Sequence, residues 1–422
     1  MITSQKIKNN NWDLLTQQIE YTINKSPYYK RLFKRKNIDI TSFEYKDFLK
    51  FPLTQKKDLA QYNDDFIAVE KHEIIEYVTT SGTLGNPVTF ALNEEDLQRL
   101  ALNEQKSFNL AGVTKNDIVQ LTTTLDKRFI AGLAYFLGLR KIGAGLIRVG
   151  AGAPALQWDS IQRFKPTYLV AVPSFLVKLV LYAQENQIDF KNSSIKGVIC
   201  IGEALRDENH ELNSLGKKIN SLWDVELFST YASTEMCTAF TECPQHQGLH
   251  IPEDLIYTEI LNEEGKEVEI GEVGELVVTT LGVKTMPLLR YATGDLVKKL
   301  GQTCSCEQAR QLISSVLGRK QQLIKYKGTS VYPQQIINVL ATLENLPEYQ
   351  IQVALNEMET DELTVVIPLE VSENLEQSIK EILKGTLRVT PLIKRLALTE
   401  LKSRIFPEGS RKPVRFLDLR KH

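Results

Sequence analysis

Between residues 75 and 300, short runs of β-branched and aromatic residues alternate with helical stretches, and this alternation constrains the fold more than any other feature of the chain. IIEYVTT (74–80), AGLIRVG (144–150), TYLVAVP (167–173), GVICIG (197–202) and VELFSTY (225–231) read as strands. Patterns such as SFLVKLVLYAQENQ (174–187) read as the helices between them. Strands that succeed one another through helices run parallel, because each crossover helix carries the chain back to the end of the sheet from which the previous strand began. The expected class is therefore α/β, with a mainly parallel sheet. Residues 12–36 mix apolar and polar positions at helical spacing and end in basic residues, which suit a helix C-terminus.

After residue 250 the pattern changes to alternating apolar positions broken by EEG and IGEVG, which predicts hairpins and a small antiparallel or barrel-like β unit. From about residue 320 a separate α+β module is expected, with helices near 333–344 and 373–386 and strands at 350–355 and 363–369. At 422 residues the chain is too long for one compact core. The division adopted is a large domain over 1–318 and a small one over 319–422. Residues 380–422 carry 12 Lys/Arg against 4 Asp/Glu, either a solvated basic surface or one that handles phosphate.

Composition narrows the partners. Lys and Arg total 51 against 52 Asp and Glu, so the net charge of −1 gives no general attraction to nucleic acid or an anionic membrane. The start, MITSQKIKNNNWD, has no apolar core of a signal peptide, and no run is long and apolar enough to span a bilayer. A soluble, cytoplasmic protein is the expectation. Five cysteines in a chain of this length do not make a disulfide framework.

Several loops carry chemistry. Thr79-Thr80-Ser81-Gly82-Thr83-Leu84-Gly85-Asn86-Pro87 joins two predicted strands, and its hydroxyls and glycine-freed backbone suit phosphate oxygens; a plain hairpin turn is the other reading. Tyr231-Ala232-Ser233-Thr234-Glu235 follows a predicted strand, where ligands bind in parallel sheets. There Tyr231 suits stacking on a base, and Thr234 and Glu235 offer hard oxygens to a phosphate and its Mg²⁺. A capping box opening a helix is the alternative. Asp295, after the Gly294 turn, suits the paired hydroxyls of a ribose. A Gly318–Gly328 segment marks the domain junction, and Glu408–Pro413 places Lys412 in a Gly/Pro loop.

In this order the motifs resemble the adenylate-forming (acyl-CoA synthetase) superfamily, and within it the phenylacetate–CoA ligase branch. The resemblance runs from SPYYKRLF (26–33) to the tail: TYASTEM (230–236) is similar to the family's YGxTE motif and IGEAL (201–205) to its adenine-side loop. RYATGDL (290–296) is similar to the ribose segment, GRKQQLIKYKGTSVYP (318–333) to the hinge and thioester-forming segment, and SRKPVRFLDLR (410–420) to the closing lysine motif. The short C-terminal module and ECPQHQGLHIPED (242–254) point to the branch.

The resemblance implies a two-step ligase that uses ATP and Mg²⁺. A carboxylic acid, aryl or arylalkyl by resemblance, becomes an acyl-adenylate, and a thiol of coenzyme A or of a carrier-protein phosphopantetheine then displaces AMP. It assigns catalytic roles to Lys412, Glu235 and Lys325. Thr80, Ser81, Gly82, Thr83 and Gly85 would hold phosphates, and Gly202, Glu203, Ala204, Thr230, Tyr231, Ala232, Ser233 and Thr234 would surround the nucleotide. Asp295 and Arg319 would grip the ribose, Gln321 would be the hinge of a mobile small domain, and the acid would lie among Tyr135, Phe136 and residues near 147–153. Asn86 stands where the family's phosphate loop carries a lysine, which removes one cation from the pyrophosphate path and implies weaker ATP affinity or a weaker first step unless another basic residue substitutes. The competing reading is a nucleotide-binding homologue that has lost turnover. A homodimer through the N-terminal helix stays open.

Cys243, His250, Cys304 and Cys306 offer three thiolates and an imidazole, a set suited to tetrahedral Zn²⁺ in a structural role, with His246 as an alternative fourth ligand. Reduced, metal-free cysteines are the other reading.

Overall fold

The computed structural model describes residues 2–40, 43–80, 88–301, 304–306, 311–343, 346–407 and 413–420, with side chains from residue 12 onward. The N-terminal helical stretch is two helices, α1 (Ile2–Lys25) and α2 (Pro27–Arg35), rather than one. Pro27 has no N–H to give and crowds the preceding residue, so Ser26 adopts an extended backbone and the chain turns. Two short helices, α3 (Tyr45–Phe48) and α4 (Lys56–Gln61), follow. The hydroxyl-rich loop is spanned by an antiparallel hairpin, β1 (Glu76–Thr79) and β2 (Thr89–Leu92), which forms its own two-stranded sheet.

Helix α5 (Glu94–Leu110) leads into the alternating region. This comprises β3 (Ile118–Leu121), α6 (Ile130–Ile142), β4 (Gly145–Arg148), α7 (Pro154–Phe164), β5 (Tyr168–Ala171), α8 (Pro173–Glu185), β6 (Gly197–Ile201), α9 (Ser214–Leu222) and β7 (Glu226–Ser233). The five strands pair in parallel in the order β4-β3-β5-β6-β7, as the alternation requires. Their shared core holds Val119, Leu121, Val170, Ile199 and Phe228, with Phe108 of α5 and Tyr135 of α6 packed edge to face upon it.

The antiparallel strands expected after residue 250 begin earlier, with β8 (Thr238–Thr241) turning back on β7. Then come β9 (Leu249–His250), β10 (Ile256–Leu261), β11 (Val273–Thr280), β12 (Tyr291–Gly301) and β13 (Leu312–Ile313). These strands continue the same ladder, in the order β10-β11-β12-β13-β9-β8-β7.

The C-terminal module contains β14 (Gly318–Arg319), the hairpin β15 (Ile324–Tyr326) and β16 (Thr329–Val331), and α10 (Pro333–Leu340). It continues through β17 (Gln350–Leu355), β18 (Asp361–Pro368), α11 (Glu373–Leu387), β19 (Leu392–Leu396), α12 (Leu398–Ile405) and β20 (Phe416–Asp418). Four of its strands form one sheet, β19-β18-β17-β20, with Ile351, Val353, Leu363, Val365 and Ile367 buried against Ile379 and Leu383 of α11. Two compact units emerge: Met1–Glu211 with Ile219–Thr293 and Val297–Ser315, and Val316–His422 with Leu212–Lys218 and Gly294–Leu296. Among the described residues no helix is long and apolar enough to cross a membrane.

Candidate active site and metal centre

In the larger unit, the ends of the hydroxyl-rich loop are fixed by backbone geometry. Thr80 N–H donates to the Val88 carbonyl at 2.9 Å, Val88 N–H donates to Thr80 Oγ1 at 3.0 Å, and Thr79 N–H donates to Arg128 O at 3.0 Å. Ser81, Gly82, Thr83 and Gly85, with Leu84 and Asn86, lie outside the described residues.

The Tyr231–Glu235 segment opens no helix. Strand β7 runs to Ser233, and the chain reverses into β8 with Thr230 opposite Thr241 and Ser233 opposite Thr238. Met236 N–H donates to Ser233 Oγ at 3.2 Å, and Cys237 sits in the left-handed region at φ +48°. The capping-box alternative is thereby replaced by a tight hairpin turn that carries Thr234 and the nearly buried Glu235 at its tip.

A buried polar face of α5 holds this turn. The Arg99 guanidinium donates to Cys237 O at 2.7 Å, to Thr238 Oγ1 at 3.0 Å, and to the carbonyls of Leu281 and Leu255. Asn103 Oδ1 accepts from Ala239 N–H at 3.1 Å, and Ser107 Oγ meets Thr241 Oγ1 at 2.5 Å. Asp96 accepts the Lys284 and Thr285 amides at 2.7 and 3.0 Å. Every backbone group fixed this way escapes the cost of an unsatisfied buried dipole, so the hairpin is rigid before any ligand arrives. Asp96, Arg99, Asn103 and Ser107 recur at intervals of three and four. That polar periodicity in an otherwise ordinary helix is the signal by which they can be found in the sequence.

One further side chain of the larger unit reaches the tip. Lys56 Nζ, from the first turn of α4, lies 3.9 Å from Glu235 Oε1. Glu203, assigned to the adenine side, uses both carboxylate oxygens to cap α8, accepting Ser174 N–H and Oγ–H at 2.8 Å each. Gly202 before it has φ +78°, the left-handed turn that a glycine allows. Ala204 follows in the same loop, and Thr230, Tyr231 and the exposed Ala232 lie in the last half of β7. Tyr135 and Phe136 lie on α6, the first buried and the second half-buried, with the Arg148 guanidinium 5.5 Å over the Phe136 ring.

In the smaller unit Asp295 pairs with Arg319, whose Nε lies 3.1 Å from Oδ1 across the β12–β14 register. Gly318 has no room for a side chain, since a Cβ there would stand 2.5 Å from the Tyr332 ring. Gln321 is exposed in a short 3₁₀ turn, and Lys325 is exposed on β15. The backbone amide of Lys325 donates to Asp361 Oδ2 at 2.7 Å, a carboxylate also held by Arg420. Lys412 lies outside the described residues.

The four metal-ligand candidates converge within the larger unit. Their ligand atoms all lie within 4.8 Å of one another, with Cys243 Sγ 3.5 Å from Cys304 Sγ and Cys306 Sγ 3.7 Å from His250 Nε2. A tetrahedron with bonds of about 2.3 Å has edges of about 3.8 Å, so these spacings fit a Zn²⁺ ion. Cys243 and His250 are buried, and the turn carrying Cys304 and Cys306 is tied down by Gln247 Oε1, which accepts Ser305 N–H at 3.1 Å. Burial pushes the Cys243 thiol up to about 12 and raises that of Cys304, so without a cation these two stay neutral. His246, the alternative ligand, is engaged elsewhere: its ring bridges Glu242 Oε2 at 3.0 Å and Glu226 Oε1 at 2.7 Å.

Known proteins resemble this chain over most of its length. Residues 27–286 match the family model described as AMP-binding enzyme, and residues 328–420 match that of the AMP-binding enzyme C-terminal domain. A phenylacetate-coenzyme A ligase of Thermus thermophilus is 28% identical over 96% of this chain and 95% of its own. One of Escherichia coli is 28% identical over 81% of this chain and 78% of its own. Among solved structures, a 2-hydroxyisobutyryl-CoA ligase in complex with 2-HIB-AMP superposes with a TM-score of 0.82 at 20% identity, covering 97% of this chain and 88% of that one.

Proposed function

Because the chain belongs to the family of AMP-binding enzymes, we propose that it is an AMP-forming acid–coenzyme A ligase whose acid is aryl or arylalkyl. The observation that carries this reading is the Tyr231–Glu235 hairpin, in a chain that the Thermus thermophilus phenylacetate-coenzyme A ligase matches nearly end to end. The chemistry needs little covalent help from the protein. A carboxylate oxygen bonds to the α-phosphorus of ATP, and the α–β bridging bond breaks with its electron pair on pyrophosphate. The barrier is mainly crowded negative charge, which fixed donors and cations relieve.

Within this reading Thr80 and the loop 81–85 hold the outer phosphates, and Tyr231 faces the base. Asp295, steadied by Arg319, accepts the ribose hydroxyls. Mg²⁺, when bound beside Glu235, offsets pyrophosphate charge. Lys412 bridges the acid and the α-phosphate in the first step, and Lys325 serves the thiol step once the domain of 319–422 has turned about Gln321. Coenzyme A is the acceptor by analogy with the named relatives; a carrier-protein thiol would use the same chemistry with a different docking surface. Cys243, His250, Cys304 and Cys306 hold a structural Zn²⁺; four protein ligands leave no position open for catalysis.

The test is pyrophosphate release across a panel of acids, with and without coenzyme A. Release that depends on an acid and collapses in Lys412→Ala supports the ligase. The uncharged Asn86 favours a second reading, a nucleotide-binding homologue without turnover. Silence across the panel while AMP still binds would establish that reading instead.

A further inference from the structure

The Tyr231–Glu235 hairpin presents a carboxylate where the proposed reaction brings a polyphosphate. Two anionic groups repel. Mg²⁺ beside Glu235 would offset part of that repulsion, and a fixed cation on the same side would offset more of the polyphosphate charge. The phosphate loop carries Asn86 and supplies none there. Among the described residues, Lys56 is the one cation within ion-pair distance of Glu235, at 3.9 Å.

The placement of Lys56 is built in. The preceding Thr54 is fully buried and adds a bridge to Tyr291: its N–H donates to Arg290 O at 3.0 Å, and its carbonyl accepts Ala292 N–H at 2.9 Å. Thr54 Oγ1 donates to Leu289 O at 2.7 Å and meets Tyr29 Oη at 2.8 Å. The Arg290 guanidinium, itself paired with Glu259, grips the carbonyls of Leu49 and Phe51 at 2.6 Å each. Gln55 N–H donates to Asp58 Oδ2 at 2.8 Å, which sets the first turn of α4. A loop this heavily fixed aims one lysine at one glutamate, while the Lys56 side chain stays 38% exposed and open to a ligand. A lysine needed only for stability would gain little from such a partly wet pair.

We propose that Lys56 is a phosphate-binding catalytic residue of the adenylation step, contacting the β/γ-phosphates of ATP and supplying the charge that the phosphate loop lacks. The ammonium stays protonated throughout and exchanges no proton; it stabilises charge that moves onto pyrophosphate. This inference rests on the ligase reading for the identity of the reaction, but its own test is nucleotide binding.

Calorimetric titration of the full chain with Mg·ATP and with AMP decides it, because AMP has no β- or γ-phosphate. One charge-assisted contact corresponds to a loss of about tenfold or more, so Lys56→Gln should weaken Mg·ATP by that factor and leave AMP within about twofold. Lys56→Arg should retain most of the Mg·ATP affinity. With an acid that supports ATP–pyrophosphate exchange, the exchange rate should fall in Lys56→Gln and recover in Lys56→Arg. Equal losses for both nucleotides, or no loss for either, overturn the assignment. Normal Mg·ATP binding by the wild type with no exchange on any acid removes the ligase reading, while the binding comparison still decides Lys56.

Discussion

Glu104 is fully buried between α5 and α6, and its response to pH can be worked out from the structure. One carboxylate oxygen accepts Asn103 Nδ2–H at 3.0 Å, and no cation is paired with it among the described residues. The opposing helix comes so close that a Cβ on Gly138 would stand 2.3 Å from Glu104 Cβ, which leaves no space for hydrating water at that point. Desolvation outweighs the Asn103 bond and raises the carboxyl from 4.5 to about 8. An acid raised on folding stays protonated in the native state while the unfolded chain ionises. Its contribution is therefore intact below pH 4.5 and is lost as pH rises toward 8. At 1.36 kcal/mol per pH unit the full gap is about 5 kcal/mol, of which about 3 kcal/mol falls between pH 5.5 and 8.5. Urea titrations of wild type and Glu104→Gln at those two pH values measure it. The wild type should lose about 3 kcal/mol more than the variant, because glutamine keeps the shape and has nothing to ionise. Parallel losses in the two proteins would refute the idea that a neutral Glu104 is built into this helix pair.

Other expectations concern the scaffold and the second unit. Arg99→Met should cost about 3 kcal/mol or more, since it strands buried carbonyls of Cys237, Leu255 and Leu281, and thermal denaturation would register this. Gly318→Ala forces Tyr332 to move and should destabilise the smaller unit by about 1–3 kcal/mol, measured by denaturant unfolding. Protein purified without chelator should carry zinc near one equivalent, and Cys304→Ser or chelation should lower the melting temperature; metal content near zero would end the zinc assignment. Lys325→Ala should slow thioester formation from preformed acyl-adenylate yet leave ATP–pyrophosphate exchange intact; equal losses in both would remove Lys325 from the thiol step.

The candidate site was legible in part. Tyr231 to Glu235 stood out because a hydroxyl-rich run after an apolar strand is a local pattern, and the strand lies where the pattern put it. Whether that run opened a helix or turned a hairpin was decided by β8, whose pairing partners are supplied from the opposite side of a turn. Lys56 was invisible for a different reason. Nothing in LTQKKDL marks one lysine over its neighbour, and its role depends on Thr54 and Arg290, which lie more than 200 residues apart in the chain.

The sequence by itself determined the strand–helix alternation that makes the central sheet parallel, the α+β character of the C-terminal module and the set of four sulfur and imidazole ligands, while the order β4-β3-β5-β6-β7 came from the fold. Hydrophobic period and residue chemistry are local properties that a chain carries before it folds. Tertiary structure alone decided that the four ligand atoms meet within 4.8 Å, that His246 is held by two glutamates, and that a buried acid faces a glycine across two helices. Those are questions of which distant groups share one small, poorly hydrated space, and only packing closes that space.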